Sequence, residues 1–104
     1  MIVFLKGGIM AKIEIYSKTY CPYCIHAKNL LNKKGVSYVE YNISTDAAKE
    51  EEMMQRKPNA RTVPQIFIDG VSIGGFDDMK KLNDLGQLDA LIGIHAAPAQ
   101  KIKP

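Results

Sequence analysis

Cys21-Pro22-Tyr23-Cys24 stands where a strand pattern gives way to a helical one, and that junction leaves few architectures open. Lys12 to Tyr16 alternates polar and apolar residues, the period of a strand. Ser17 to Tyr20 reads as a short loop. From Pro22 to Lys33, Cys24, Ala27, Leu30 and Leu31 recur at helical spacing, and Gly35 supplies a stop. Cys21 therefore stands at the mouth of a helix, where unpaired N–H groups and the macrodipole favour an anion. A thiolate is such an anion. Cys24 falls one turn further on the same face, within reach of a disulfide with Cys21. Pro22 suits the first turn, where its missing N–H removes no needed bond. A C-x-x-C placed this way is the pattern of a thiol–disulfide redox site.

Two plainer readings of the cysteines fit less well. A structural zinc site needs four ligands. The chain has two cysteines and two histidines, His26 and His95, without the spacing of such a site, so no metal is expected. A purely structural disulfide across so short a loop would restrict the unfolded chain little.

The remaining pattern continues the alternation of strand and helix. Ser37 to Tyr41 reads as a second strand. Ser44, Thr45 and Asp46 are capping candidates for a helix carrying Ala47, Met53 and Met54 and ending before Pro58. Gln65 to Ile68 and Val71 to Ile73 are short strands joined by Asp69-Gly70, a hairpin signal. Gly74-Gly75 leads to a helix beginning at Asp77 or Asp78 and carrying Met79, Leu82 and Leu85. Gly86 breaks it, and Leu88, Leu91 and Ile92 mark one more short helix. The order β-α-β-α-β-β-α-α predicts an α/β fold. Its βαβ unit makes parallel strands through a right-handed crossover, and the hairpin adds antiparallel ones. The outcome is a small mixed four-stranded sheet with helices on both faces.

Two further motifs bear on chemistry. Thr62-Val63-Pro64-Gln65 places a proline at a strand entrance, where no ladder donor is needed. It is either a plain strand start or a cis-proline whose preceding backbone serves a peptide-like ligand. Gly74-Gly75-Phe76-Asp77-Asp78 sets glycines before a helix, where N–H groups can hold a carboxylate and an acidic side chain can meet an amino group. Alone, it reads first as a glycine turn followed by a helix cap.

Composition limits the partners. A net charge of +3 with no basic cluster gives no argument for nucleic acid, although a mild positive field helps attract a small anion. No apolar run is long enough to span a membrane. Residues 1–10 read as an N-terminal extension lacking the marks of a signal peptide, 11–94 as the folded domain and 95–104 as a mobile tail. A cytoplasmic location and a monomeric state are expected, and in a reducing cytosol a permanent disulfide would be unusual.

Taken together, these motifs resemble the dithiol glutaredoxins, and most of all the short bacterial type. Cys21-Pro22-Tyr23-Cys24, Thr62-Val63-Pro64 and Gly74-Gly75-Phe76-Asp77-Asp78 fall in that family's order and element context, over roughly Ala11 to Ile94. Thioredoxin proper is less similar, since the chain has no Trp and carries Pro-Tyr between its cysteines. The monothiol relatives carry serine where Cys24 stands. The resemblance implies a thioredoxin-like fold, no tightly bound cofactor, and glutathione as co-substrate. It also implies partners among glutathionylated or disulfide-bearing proteins, with ribonucleotide reductase a candidate. By resemblance, Cys21 is the nucleophile and Cys24 the resolving thiol. Lys18 approaches the glycine carboxylate of glutathione, and Tyr23 lines its groove. Thr62, Val63 and Pro64 meet its cysteinyl part, and Gly75, Phe76, Asp77 and Asp78 its γ-glutamyl end, with Arg61 a weaker carboxylate contact. Phe76 departs from relatives that carry a cysteine or a small residue there, which makes the rim bulkier. Members of the family can also hold an iron–sulfur cluster across a dimer. Pro22 and the dithiol site argue against that as the main role here.

Overall fold

The computed structural model describes residues 11–93. The expected extension over 1–10 and tail over 95–104 lie outside the described residues, as does His95. Four strands and four helices follow in order: β1 (Ile13–Ser17), α1 (Pro22–Lys34), β2 (Val39–Asn42), α2 (Ala47–Arg56), β3 (Gln65–Ile68), β4 (Val71–Gly74), α3 (Phe76–Asp84) and α4 (Gln87–Ile92). The sheet runs β2-β1-β3-β4. β1 pairs with β2 in parallel, Tyr16 opposite Tyr41, and with β3 antiparallel, Ile15 opposite Ile66. The β3–β4 hairpin has a register shift between Ile66 and Phe67. The expected mixed sheet and element order are thus the observed ones.

The sheet has two unlike faces. Alternate residues of the central strands, Ile13, Ile15, Ile66 and Ile68, point to one side. They meet Ala27 and Leu31 of α1, Met79 of α3, and Leu88 and Ile92 of α4 in an aliphatic core. The residues between them point the other way, and Tyr16 and Phe67 pack there with Ile43, Met53 of α2 and Ala60.

β1 differs from its alternating pattern, because all five of its residues are buried. Helices cover both faces, so the polar residue Glu14 is also enclosed, only 6% exposed. A buried carboxylate needs partners. Glu14 accepts from both Arg56 guanidinium nitrogens, at 2.9 and 3.1 Å, and from the Tyr41 hydroxyl at 2.8 Å. Arg56 also lies over the Phe67 ring, 4.1 Å from its centroid.

Two boundaries also move. β2 starts at Val39, because Val36 turns into the aliphatic core ahead of it. α3 starts at Phe76, with Gly75 as its N-cap, one to two residues earlier than the acidic pair suggests. α1 ends at Gly35 (φ 71°), whose N–H returns to the Asn32 carbonyl at 3.0 Å. Lys34 in its last turn pairs with Asp89 of α4 at 2.6 Å, tying the two helices together. No helix among the described residues is long and apolar enough to cross a membrane.

Candidate active site

Cys21 is the N-cap of α1 and has extended backbone angles. Its sulfur accepts the Cys24 backbone N–H at 3.2 Å, so one of the orphan donors at the helix mouth is satisfied by sulfur. Sulfur is thereby held where negative charge is favoured. The Cys21 thiol reaches the Val63 carbonyl, 3.8 Å away. That carbonyl belongs to the residue before Pro64, and the Val63–Pro64 bond is cis. The two cysteines are free thiols.

Their surroundings differ. Cys21 is partly exposed, whereas Cys24 is 1% exposed, on the buried side of α1 with Ala27 and Leu31. Burial pushes the Cys24 thiol up to about 12, with its hydrogen bond to Cys21 adding to the effect and the Lys18 backbone N–H opposing it. Cys24 is therefore a neutral thiol near pH 7. A neutral thiol is a poor nucleophile but can still supply a proton and a sulfur.

A groove of about 330 Å³ is lined by Tyr23, which stands between the cysteines, and by Val63, whose carbonyl meets the Cys21 thiol; neither cysteine is itself in the lining. Thr62, Val63 and Pro64 form one wall; Gly75, Phe76, Asp77 and Asp78 form the other, with Tyr23 from α1 at the rim. The Tyr23 ring is 57% exposed and stacks on Phe76, with centroids 6.3 Å apart and planes 22° from parallel. His26 closes the same aromatic cluster, 5.6 Å from Phe76. Among the described residues, no three His, Cys, Asp or Glu side chains come together as a metal site.

The second wall is built closely. The Asp78 carboxylate accepts the Gly75 N–H at 3.1 Å, which fixes the start of α3. Gly74 has φ 100°, and a Cβ there would collide with that carboxylate. Asp77 is left exposed toward the groove.

Nearly all the groove residues expected from the sequence come together. Lys18 is the exception: it is exposed on the loop before Cys21 and is not part of the lining. Arg61 is likewise exposed and outside it. The lining also holds Lys57, which no motif marks, and Gln65, which closes the Thr62-Val63-Pro64-Gln65 motif but carries no expected contact. Lys57 follows α2 and donates to Ser72 Oγ at 3.2 Å. Gln65 is buried and donates through Nε2 to the Thr62 carbonyl at 2.9 Å, bracing the wall across Pro64. Its place directly after the Val-Pro step was the only available signal.

A β2-β1-β3-β4 mixed sheet with a C-x-x-C at the mouth of its first helix defines the class, a thiol–disulfide oxidoreductase of thioredoxin-like fold. Comparison with known proteins narrows it. The glutaredoxin family model matches residues 13–73. Glutaredoxin 3 of Escherichia coli (strain K12) is 54% identical over 83 residues, 80% of this chain and 99% of that protein. Glutaredoxin 1 of Rickettsia prowazekii is 46% identical over 89 residues, 85% of this chain and 94% of its own length. The solution structure of a Brucella melitensis glutaredoxin superimposes with a TM-score of 0.71 at 41% identity, covering 84% of this chain and 94% of that one. A buckwheat glutaredoxin–glutathione complex gives 0.72 at 30% identity, covering 84% and 81%. The chain belongs to the glutaredoxin family, the glutathione-dependent thiol oxidoreductases, and is similar to its bacterial glutaredoxin 3 type.

Proposed function

We propose that the groove beside Cys21 binds glutathione and that Cys21-Pro22-Tyr23-Cys24 reduces protein–glutathione mixed disulfides and protein disulfides. One observation carries this reading: the Cys21 sulfur sits at a helix mouth and also at the carbonyl of Val63, which lines a groove of about 330 Å³. The buckwheat relative, matched across most of this chain, is a glutathione complex.

The Cys21 thiolate attacks the glutathione sulfur of a mixed disulfide. A new sulfur–sulfur bond forms, the old one breaks, and the protein leaves as a thiol after taking up a proton. A second glutathione thiolate then attacks, giving oxidised glutathione and restoring Cys21. With a protein disulfide, Cys21 attacks first and Cys24 resolves. Cys24 loses its proton as it displaces the protein, and the Cys21–Cys24 disulfide is then reduced by two glutathione molecules. The Val63 backbone aligns the cysteinyl part, flanked by Thr62 and Pro64, with Tyr23 over it. The mouth of α3 at Gly75, Phe76 and Asp77 takes the γ-glutamyl carboxylate. Asp77 faces its ammonium, and Asp78 holds the mouth in shape. Lys18 and Lys57 supply positive charge toward the glycine carboxylate.

The test is turnover of the mixed disulfide of glutathione with 2-mercaptoethanol, coupled to glutathione reductase. Wild type should turn over, C24S should retain activity, and C21S should be inactive. Equal loss in C21S and C24S would defeat the assignment of roles.

A further inference from the structure

Tyr20, directly before Cys21, has φ 59°, in the left-handed region that bulky residues avoid. Asp69 is the other non-glycine residue there among those described, and it stands in the Asp69-Gly70 hairpin turn, where that conformation is ordinary. Tyr20 is held by its neighbours. The Thr19 N–H donates to Ser44 Oγ at 3.0 Å, and Thr19 Oγ1 accepts from Asn42 at 3.0 Å. On the other side, Cys21 is fixed by the Cys24 N–H at its sulfur and the Ile25 N–H at its carbonyl. The ring gains nothing within the molecule, since Tyr20 is 95% exposed and is not part of the groove lining. A strained backbone that displays an unpacked aromatic next to a nucleophile is the kind of cost retained at functional positions.

We infer that Tyr20 is a specificity-determining residue that contacts the protein half of the mixed disulfide. The inference rests on the groove being the glutathione site. With glutathione in the groove, the leaving sulfur carries a protein too large to enter it. That protein must rest on the surface around Cys21, where Tyr20 is an almost fully exposed aromatic directly before the nucleophile. An exposed aromatic of this kind supplies contact area at little entropic cost. A small leaving group would not reach it.

The experiment compares wild type with Y20N, Y20G and Y20F on two substrates. One is glutathionylated serum albumin and the other the glutathione–mercaptoethanol disulfide. Asn and Gly accept the left-handed backbone and remove the ring, so neither should lower Tm. Removing an aromatic contact should cut kcat/KM for the albumin substrate about fivefold to tenfold in Y20N and Y20G. The small disulfide should change less than twofold, and Y20F should behave as wild type. Equal effects on the two substrates, no effect on either, or a lower Tm in Y20N would overturn the role. Reduction of insulin disulfides with dithiothreitol as electron donor needs no glutathione, so it separates the two readings. If Y20N slows insulin reduction while wild type fails on both glutathione substrates, Tyr20 keeps its role and the glutathione assignment falls. If insulin reduction is unaffected as well, the Tyr20 role falls.

Discussion

The two faces of the sheet hold the two halves of the groove by different means. On one face, α1, α3 and α4 close over Ile13, Ile15, Ile66 and Ile68 in a core of aliphatic side chains. This face carries the cysteines at the start of α1 and the glycine-rich wall at the start of α3. On the other, α2 lies over Tyr16 and Phe67 with a Glu14–Arg56 pair enclosed beside them. This face carries the opposite wall, because Val63 packs against the Tyr16 cluster and Lys57 ends α2. The difference teaches that thiol placement depends on apolar packing, which is insensitive to pH, whereas the Thr62–Pro64 wall depends on charges that must stay paired. The two halves should therefore fail separately.

The largest expected effect is on the aliphatic face. Leu31 is fully buried, so Leu31→Ala should cost about 3 kcal/mol. Denaturant unfolding measures the loss, and turnover should fall in parallel as α1 loosens. A cost below 1 kcal/mol would mean that this face is not the main support of the thiols.

On the opposite face, Glu14→Gln removes the charge that Arg56 pairs with at 2.9 Å. A broken buried pair can cost more than 3 kcal/mol, but Arg56 is a quarter exposed, and about 2 kcal/mol is the expected loss at pH 7. The glutathione KM should rise, while the alkylation rate of Cys21 stays within twofold. An altered alkylation rate with unchanged KM would reverse the division of labour between the faces.

The pH dependence of that pair has a definite sign. The Arg56 guanidinium, through its hydrogen bonds, holds the Glu14 carboxyl below its ordinary range, against the opposing effect of burial and with help from Tyr41. A carboxyl lowered in the folded state stabilises above its unfolded value, about 4.3, and that contribution is lost as pH falls through the folded value. The difference in unfolding free energy between wild type and E14Q should thus shrink below about pH 4. A constant difference down to pH 2.5 would remove Glu14 as the source.

The smallest expected effect is at the glycine-rich wall. Asp78→Ala removes the carboxylate that fixes the Gly75 N–H and should cost about 0.5–1 kcal/mol, with a mild rise in glutathione KM. Thermal unfolding and steady-state kinetics check the two parts. A stability loss above 2 kcal/mol would mark Asp78 as a core determinant of the fold.

Much of this organisation could be read from the chain because the signals were local. The C-x-x-C with Pro22, the Asp69-Gly70 turn and the helical spacing of Ala27 and Leu31 each specify structure within a few residues. What could not be read came from long-range contacts. Glu14 looks like the outward residue of a half-exposed strand, and only Arg56, 42 residues later, shows why it can be buried. Lys57 and Gln65 join the groove because α2 and β3 converge there; no motif marks Lys57, and Gln65 is marked only by its place after Pro64. The left-handed backbone of Tyr20 depends on Asn42 and Ser44 pinning Thr19, a contact between two loops that periodicity cannot reveal.

The central claim is that the two thiols are divided into an outward nucleophile and an inward resolver. Cys24, 1% exposed and with its thiol pushed up to about 12, should stay silent toward an external disulfide near pH 7. Intact-mass spectrometry of C24S and C21S after exposure to oxidised glutathione reads this directly. The account predicts one glutathione adduct, on Cys21, in C24S and none in C21S within the same interval. Comparable adduct formation on Cys24 in C21S would contradict it.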